Sequence, residues 1–372
     1  MIVLGIESSC DETAAAVVRD GHTLLGNSVA SSMDLHAKFG GVVPEIAARS
    51  HIEAILPVIQ QSLDQAFPDL IANQGDDTSQ KKQKRDAQWA RIDAIAVTYG
   101  AGLGGSLLIG VLTARTLAVI YNKPLHAINH VEAHLYANFL IDTPLPEYTL
   151  PDTQPVFPVL GLIVSGGHSQ LVLFRDHFDY TLLGQTQDDA IGEAYDKVAK
   201  ILGLPYPGGP SVSRAADTGD SHALQLPKAR MPHRYDFSFS GLKTAVLRSA
   251  QTMIGEDYTF PSTGLSARLS DQQKADIAAS FQRIALETVV DKTLLAYEEF
   301  QPSTVIIGGG VASDPNLRAM LADRLPLPVT YTDRKLCTDN GAMVATLGCF
   351  KASLGAATAD PYSLDIAPNL SM

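Results

Sequence analysis

Cysteine is scarce in this chain: Cys10, Cys337 and Cys349 are three residues in 372. They form no C-x-x-C pair and no disulfide framework, which argues against a stapled secreted domain and fits a reducing cytoplasm. An apolar run long enough to span a bilayer is also wanting, so neither a membrane span nor a membrane partner is expected. The opening stretch Met1–Ile6 has no basic n-region before it, so a secretory signal is not expected. Positive charge is in deficit: 28 Lys and Arg against 40 Asp and Glu give −12. That excludes a surface coated in basic residues, and any nucleic acid must meet a local patch or one supplied by a partner. Neither a G-x-x-x-x-G-K-[ST] loop nor a clean G-x-G-x-x-G is found. No Ser/His/Asp or Cys/His set can be assembled.

Apolar residues make up 45% of the chain, enough for packed cores, and the length suggests two domains. Met1–Ile6 reads as a strand, Glu7–Thr13 as a polar turn and Ala14–Val18 as the return strand of a hairpin. A helix is expected over Glu45–Ala66, then a solvated hydrophilic insertion over Asn73–Gln88, with Lys81, Lys82, Lys84 and Arg85. RNA contact is the minority reading of that insertion. Ile92–Thr98 reads as a buried strand, Gly100–Gly105 as a glycine turn and Ser106–Tyr121 as a helix. The pattern then begins again, with Val159–Val164 as strand, Ser165–His168 as turn and Ser169–Phe174 as return strand. The echo implies two related α/β halves. Ser270 and Gln273 form a capping box for a long helix to about Phe300, and Asp314–Pro315 caps another. The expected division is residues 1–128 for the first half, joined by a last helix near 339–353, residues 129–338 for the second, and a loosely held tail over 360–372.

Within Asn129–His134, His130 and His134 stand four apart in a run, His126–Leu140, that reads as helix. At about 100° per residue they lie about 40° apart around the axis, a spacing that offers two imidazoles to one metal. Glu132 is out of place for the zincin H-E-x-x-H pattern, so it is not the base of a metalloprotease. Asp339 reads either as N-cap of the last helix or as a third, carboxylate ligand. Gly100–Gly105, Ser165–Gly167 and Gly308–Gly310 each follow a strand and expose amides that favour anions. Together with the hairpin tip they favour a nucleotide cleft between two halves. Asp314 is an N-cap that also follows one of those turns. Asp196 is either half of a solvated pair with Lys197 or faces the cleft.

Ordered motifs along nearly the whole chain carry a resemblance: GIESSCDET (Gly5–Thr13), GGVVPEIAAR (Gly40–Arg49), NHVEAH (Asn129–His134), IVSGGHSQL (Ile163–Leu171), GEAYDKVAK (Gly192–Lys200), YPGGP (Tyr206–Pro210), DFSFSGLKT (Asp236–Thr244), GGGVASDPNLR (Gly308–Arg318) and CTDNGAM (Cys337–Met343). They resemble the bacterial TsaD family of tRNA N6-adenosine threonylcarbamoyltransferases. The resemblance implies the α/β actin/Hsp70/sugar-kinase (ASKHA) fold, with two RNase H-like lobes around a nucleotide cleft. It implies a cytoplasmic acyltransferase that passes threonylcarbamoyl from threonylcarbamoyl-AMP to N6 of the adenosine 3′ of the anticodon. His130, His134 and Asp339 would bind a divalent metal, usually described as iron, with zinc compatible. Ile163, Val164, Ser165, Gly166, Gly167, Asp196, Gly209 and Asp314 match positions that hold the adenylate, with ATP an alternative nucleotide. Asp11 matches an acidic position at the reacting end and is the catalytic candidate. The implied partners are tRNA, a paralogous TsaB-type subunit and a TsaE-type ATPase. Asp314 departs from the family's usual asparagine, and Ala101 from a common proline. An ATP-dependent phosphotransferase of the same fold, a metalloprotease and a catalytically silent scaffold are the rival readings. The scaffold reading expects the histidine pair to be missing.

Overall fold

The structure, a computed structural model, describes residues 1–70 and 78–372. In chain order the elements are β1 (Ile2–Glu7), β2 (Glu12–Arg19), β3 (Thr23–Ser31), α1 (Met33–Ala37), α2 (Pro44–Ala66), α3 (Thr78–Arg91), β4 (Ala94–Gly100), α4 (Gly104–Tyr121), β5 (Leu125–Asn129) and α5 (His130–Tyr136). There follow β6 (Val159–Val164), β7 (Ser169–Asp176), β8 (Asp179–Gln185), α6 (Ile191–Leu202), α7 (Gly208–Ala216), α8 (Ser240–Met253), α9 (Asp271–Phe300), β9 (Thr304–Gly308), α10 (Pro315–Arg324), β10 (Val329–Thr330) and α11 (Gly341–Ser353).

The chain divides into two compact units. The first takes Met1–His36, Val42–Gln154 and Tyr331–Met372, and the second takes Ala37–Gly41 and Pro155–Thr330. The sequence-based boundary at 128/129 falls too early, because β5 pairs with β4 and leads straight into the histidine helix. That helix therefore stays with the first unit, and the chain returns to this unit at Tyr331.

Each unit is built on one five-stranded sheet. The first has the order β3-β2-β1-β4-β5, and the second has β8-β7-β6-β9-β10. In both, the first three strands in sequence form an antiparallel meander, and the last two join it in parallel. This is the RNase H-like order, and its duplication is the actin/Hsp70/sugar-kinase architecture. The echo in the sequence thus reports a real repeat of topology.

In the first unit, alternation along β1 sorts its two faces. Leu4 and Ile6 enter a core with Ile55, Ile59 and Leu63 of α2 and with Val111 and Ala114 of α4. Gly5 faces the other way. A Cβ there would lie 2.4 Å from the Ala345 nitrogen, and one on Gly341 would lie 2.4 Å from the Ala15 carbonyl carbon. Two glycines therefore let α11 lie directly on β1 and β2, which sets the position of the residues just before it.

Three expectations need correction. Helix α4 is apolar and, at 18 residues, long enough by length and composition to cross a bilayer. Here it lies against β4 with Leu107, Val111 and Ala114 buried. Of the stretch expected to be a solvated insertion, residues 73–77 fall outside the described part, while the rest belongs to α3, with Gln88 and Trp89 buried. The tail is tied down. Ala359 pairs with Leu125, Arg115 donates to the carbonyls of Pro361, Tyr362 and Leu364, and Ala367 N–H donates to Tyr99 O.

Candidate functional site

The first unit gathers its chemistry where β1 and β5 end and α11 begins. The helical run expected over His126–Leu140 is shorter: His126 lies in β5, and the helix starts at His130. Asn129 caps it, with its side-chain oxygen accepting from Val131 N–H at 2.9 Å and Glu132 N–H at 3.4 Å. Its amide also donates to Ser371 O at 3.1 Å. His130 and His134 are both buried, with ring centroids 4.7 Å apart and planes at 73°.

Asp339 does not cap α11. That role belongs to Asn340, which accepts from Met343 N–H at 3.0 Å. One residue earlier in the chain, the Asp339 carboxylate is turned to the imidazoles instead. Its Oδ1 lies 3.6 Å from His130 Nε2 and 3.4 Å from His134 Nε2. Ligand atoms of the three side chains lie within 4.8 Å of one another. The two N···O separations are long for hydrogen bonds. They match neighbouring ligands about 2.0–2.2 Å from a shared ion, whose spacing is about 3.3–3.6 Å.

Behind the pair stands a residue the sequence reading missed. Glu7 is fully buried, and its Oε2 lies 3.1 Å from His130 Nδ1. It also accepts from Thr98 Oγ1 at 2.5 Å and, through Oε1, from Ser9 N–H at 2.6 Å. Ser9 Oγ is a second neighbour of His130 Nδ1, at 3.1 Å. A carboxylate on Nδ1 fixes ring and tautomer and leaves Nε2 for a ligand role. Burial works against charge on both partners, yet each outweighs it for the other: Glu7 is held down at about 2 and His130 raised to about 9. Burial, Glu7 and Asp11 push Asp339 up to about 6, against the pull of His130. Burial, Asp339 and Asp11 push Glu12 up to about 9. Crowding of carboxyl groups around the two imidazoles thus disfavours charge on Asp339 and Glu12, a penalty that a bound cation relieves. The donor set thus fits a divalent metal. Glu132 takes no part in the cluster; it is buried, and burial raises it to about 7 against the pull of Lys351.

Asp11 sits in the β1–β2 turn. Its backbone carbonyl accepts from Ser32 N–H at 3.1 Å and Ser32 Oγ at 2.8 Å.

The second unit carries its turns at the ends of β6 and β9, which are parallel neighbours with Ile163 paired to Gly308. Ile163 and Val164 are buried strand residues. Beyond them Ser165 N–H donates to His168 O at 2.8 Å, and Ser165 O accepts from Gly192 N–H at 3.2 Å, which brings the start of α6 to the turn. A Cβ on Gly166, Gly167 or Gly209 would meet nothing within 4 Å. Packing inside this unit does not demand glycine at those positions, whereas close approach of a ligand to backbone amides would.

Asp196 is not paired with Lys197, which binds Asp189 at 2.6 Å and Glu193 at 2.8 Å. Instead its Oδ1 accepts from Gly208 N–H at 2.7 Å, at the start of α7. Asp314 caps α10, accepting from Asn316 N–H at 2.7 Å, and its second oxygen accepts from Gln282 Nε2 at 3.0 Å. Gln282 also reaches Ser213 Oγ at 3.1 Å. Ser165, α6, Asp196, α7, Gln282 and Asp314 thus form one continuous set. Gln282 and Ser213 are not legible as members, since both lie inside helices, where single polar residues are ordinary.

A family model described as "TsaD: tRNA N6-adenosine threonylcarbamoyltransferase" matches residues 23–346. A tRNA N6-adenosine threonylcarbamoyltransferase of Thermomicrobium roseum is 46% identical over 371 residues, covering 95% of this chain and 93% of its own. Its namesake in Dehalococcoides mccartyi is 42% identical over 372 residues, covering 100% and 99%. Among solved structures, the (R)-2-hydroxyglutaryl-CoA dehydratase component A of Acidaminococcus fermentans is matched with a TM-score of 0.46 and 16% identity, over 95% of this chain and 99% of its own. A ROK hexokinase from Thermus thermophilus is matched with a TM-score of 0.44 and 15% identity, over 95% and 100%.

Proposed function

Because this chain belongs to the TsaD family of tRNA N6-adenosine threonylcarbamoyltransferases, we propose that its reaction is transfer of threonylcarbamoyl from threonylcarbamoyl-AMP to N6 of the adenosine 3′ of the anticodon in ANN-decoding tRNAs. The adenosine amine attacks the carbamoyl carbonyl, the bond to the adenylate phosphate breaks, and the products are N6-threonylcarbamoyladenosine and AMP. The observation that carries this reading is the convergence of His130, His134 and Asp339 within 4.8 Å. These residues would hold one divalent ion, for which iron is our assignment and zinc is compatible with the same donors. When bound, the ion supplies Lewis acidity at the threonylcarbamoyl carbonyl oxygen.

The protein's own groups do the rest. Glu7 and Ser9 orient His130. Asp11 is the candidate to take the proton lost from N6. Amides of Gly166, Gly167 and Gly209 hold the adenylate phosphate, with Ile163, Val164 and Ser165 shaping the turn and Asp196 fixing the start of α7. Asp314, already held by Gln282, keeps acceptor capacity for a ribose hydroxyl. ATP remains the alternative nucleotide for these turns. An amide-like exocyclic amine is a weak nucleophile, so much of the rate rests on positioning. Anticodon-loop bases are unpaired and reach such a pocket at modest cost.

The reaction belongs in the cytoplasm, where its tRNA substrate is found. We assign a paralogous TsaB-type subunit and a TsaE-type ATPase as partners. Support for a partner comes from adjacent helices α2 and α4, which expose Ile52 with Leu56 and Leu108 with Leu112, an i, i+4 apolar pair on each. A phosphotransferase of this fold has no use for the histidine pair, and a metalloprotease would need Glu132 where it is not. The test is an assay of the assembly with the adenylate and unmodified tRNA, comparing the native chain with His130→Ala. Undiminished modification by the variant would remove the metal from the mechanism.

A further inference from the structure

Helix α3 holds a concentration of cations that the reaction chemistry leaves unused. Lys81, Lys82, Lys84 and Arg85 fall within five positions of a chain whose formal charge is −12. The C-terminal half of the helix is firmly docked. Trp89 is buried and stacks on Tyr121, with centroids 4.1 Å apart and planes at 6°. Gln88 donates to Asp64 at 2.8 Å and accepts from Gln60 at 3.0 Å. Lys84 pairs with the same Asp64 at 2.7 Å. Arg91 grips both oxygens of Asp69, at 2.8 and 2.6 Å.

Toward its N-terminus the helix carries cations on an exposed stripe. Thr78, Lys81, Lys82 and Arg85 recur at helical spacing on one stripe, and that stripe continues to Trp89. At Trp89 it is buried. One to three turns earlier the same stripe is exposed, and with Gln60 and Ser79 it lines an open concavity of about 600 Å³. Where apolar residues would have closed the gap against α2, cations line it instead. Thr78 to Arg85 spans about 10 Å along the axis, which exceeds one phosphate group and suits a run of them.

We propose that this face of α3 holds the phosphodiester backbone of the tRNA substrate. The inference rests on the transferase reading of the metal centre. Contacts of this kind fix register and strength without reading sequence. In a protein that is acidic overall, they also give the RNA one preferred side of approach.

The test compares the native chain with Lys82→Glu/Arg85→Glu and Lys82→Gln/Arg85→Gln in the full assembly, with the adenylate and unmodified tRNA, over a series of salt concentrations. Charge reversal is expected to raise the KM for tRNA by about tenfold, and neutralisation by less. The slope of log kcat/KM against log salt is expected to fall in magnitude by about 1–2, at roughly 0.7–0.9 for each phosphate no longer neutralised. The KM for the adenylate, the kcat at saturating tRNA and the unfolding midpoint should stay in place. An unchanged tRNA KM and salt slope in both variants, while the native assembly modifies tRNA normally, overturns the proposal. A rise in adenylate KM equal to that for tRNA overturns it too, by assigning the cations to the nucleotide. If the native assembly does not modify tRNA at all, the transferase reading falls, and this inference falls with it.

Discussion

Glu7 Oε2 lies 3.1 Å from His130 Nδ1, so one nitrogen of the ring is held by a buried carboxylate while the other faces Asp339. This makes Glu7 a positioning residue for the metal centre. Glu7→Gln keeps the size but removes the charge, and is expected to weaken metal binding by about 10–100-fold. Metal content after dialysis against a graded chelator would measure it. Equal retention by variant and native chain would show that His130 needs no such support.

Asp339 and Asn340 are neighbours with separable roles. Asn340→Ala removes the cap of α11 and is expected to cost about 1 kcal/mol of stability. Asp339→Asn leaves that cap in place and should change stability little, yet it removes a ligand charge and should lower metal affinity sharply. Urea unfolding and metal titration of both variants give the two readouts. A drop in stability for Asp339→Asn matching that of Asn340→Ala would contradict the assignment.

Gly341→Ala tests how α11 is seated. Its Cβ would meet the Ala15 carbonyl carbon and Ala16 nitrogen at 2.4 Å, and backbone atoms cannot swing aside as a flexible side chain does. A cost of about 3 kcal/mol is expected, at the upper end of overpacking effects. Because Asp339 is two residues away, metal affinity should fall as well. A variant as stable as the native chain would mean that α11 is free to shift.

His51 gives a pH signature. It is buried, bonded to Cys10 O at 3.0 Å and to Thr13 Oγ1 at 2.7 Å, and burial holds its pKa below the usual 6.5. The unfolded chain therefore takes up a proton first. The stability from His51 is complete above about pH 6.5 and is lost as pH falls through the folded value, by at most about 1.4 kcal/mol per pH unit. Urea midpoints of the native chain and His51→Gln, measured from about pH 8 to 5, should differ most at the alkaline end. A difference that stays constant across that range would rule this out.

The sequence shows what is periodic and hides what is tertiary. The repeated strand–turn–strand openings announce two halves, and the four-residue spacing of His130 and His134 announces a shared face. The start of α5 is hidden in the sequence because β5 is only five residues long and carries His126 among apolar neighbours. Asn129 was the available signal, being a good cap directly before His130. Asp339 and Asn340 are both competent caps, and only the packing of α11 on Gly5 decides between them. Glu7 ends an apolar strand and looks like the first residue of a polar turn; its role needs β5 beside it in space. The hold on the tail is not legible because it runs through the tail's own backbone carbonyls and N–H groups, which no side-chain pattern reveals.

The first unit is discontinuous in sequence, and this orders events during synthesis. Two imidazoles and Glu7 leave the ribosome early, but Asp339 follows only after residues 155–330 have been made. Until then β1 and β2 have no α11 on their Gly5 face, and an ion arriving early finds two of three donors. Nascent chains of this protein should therefore lean on chaperones and take up metal late, with loading reporting that synthesis has passed residue 339.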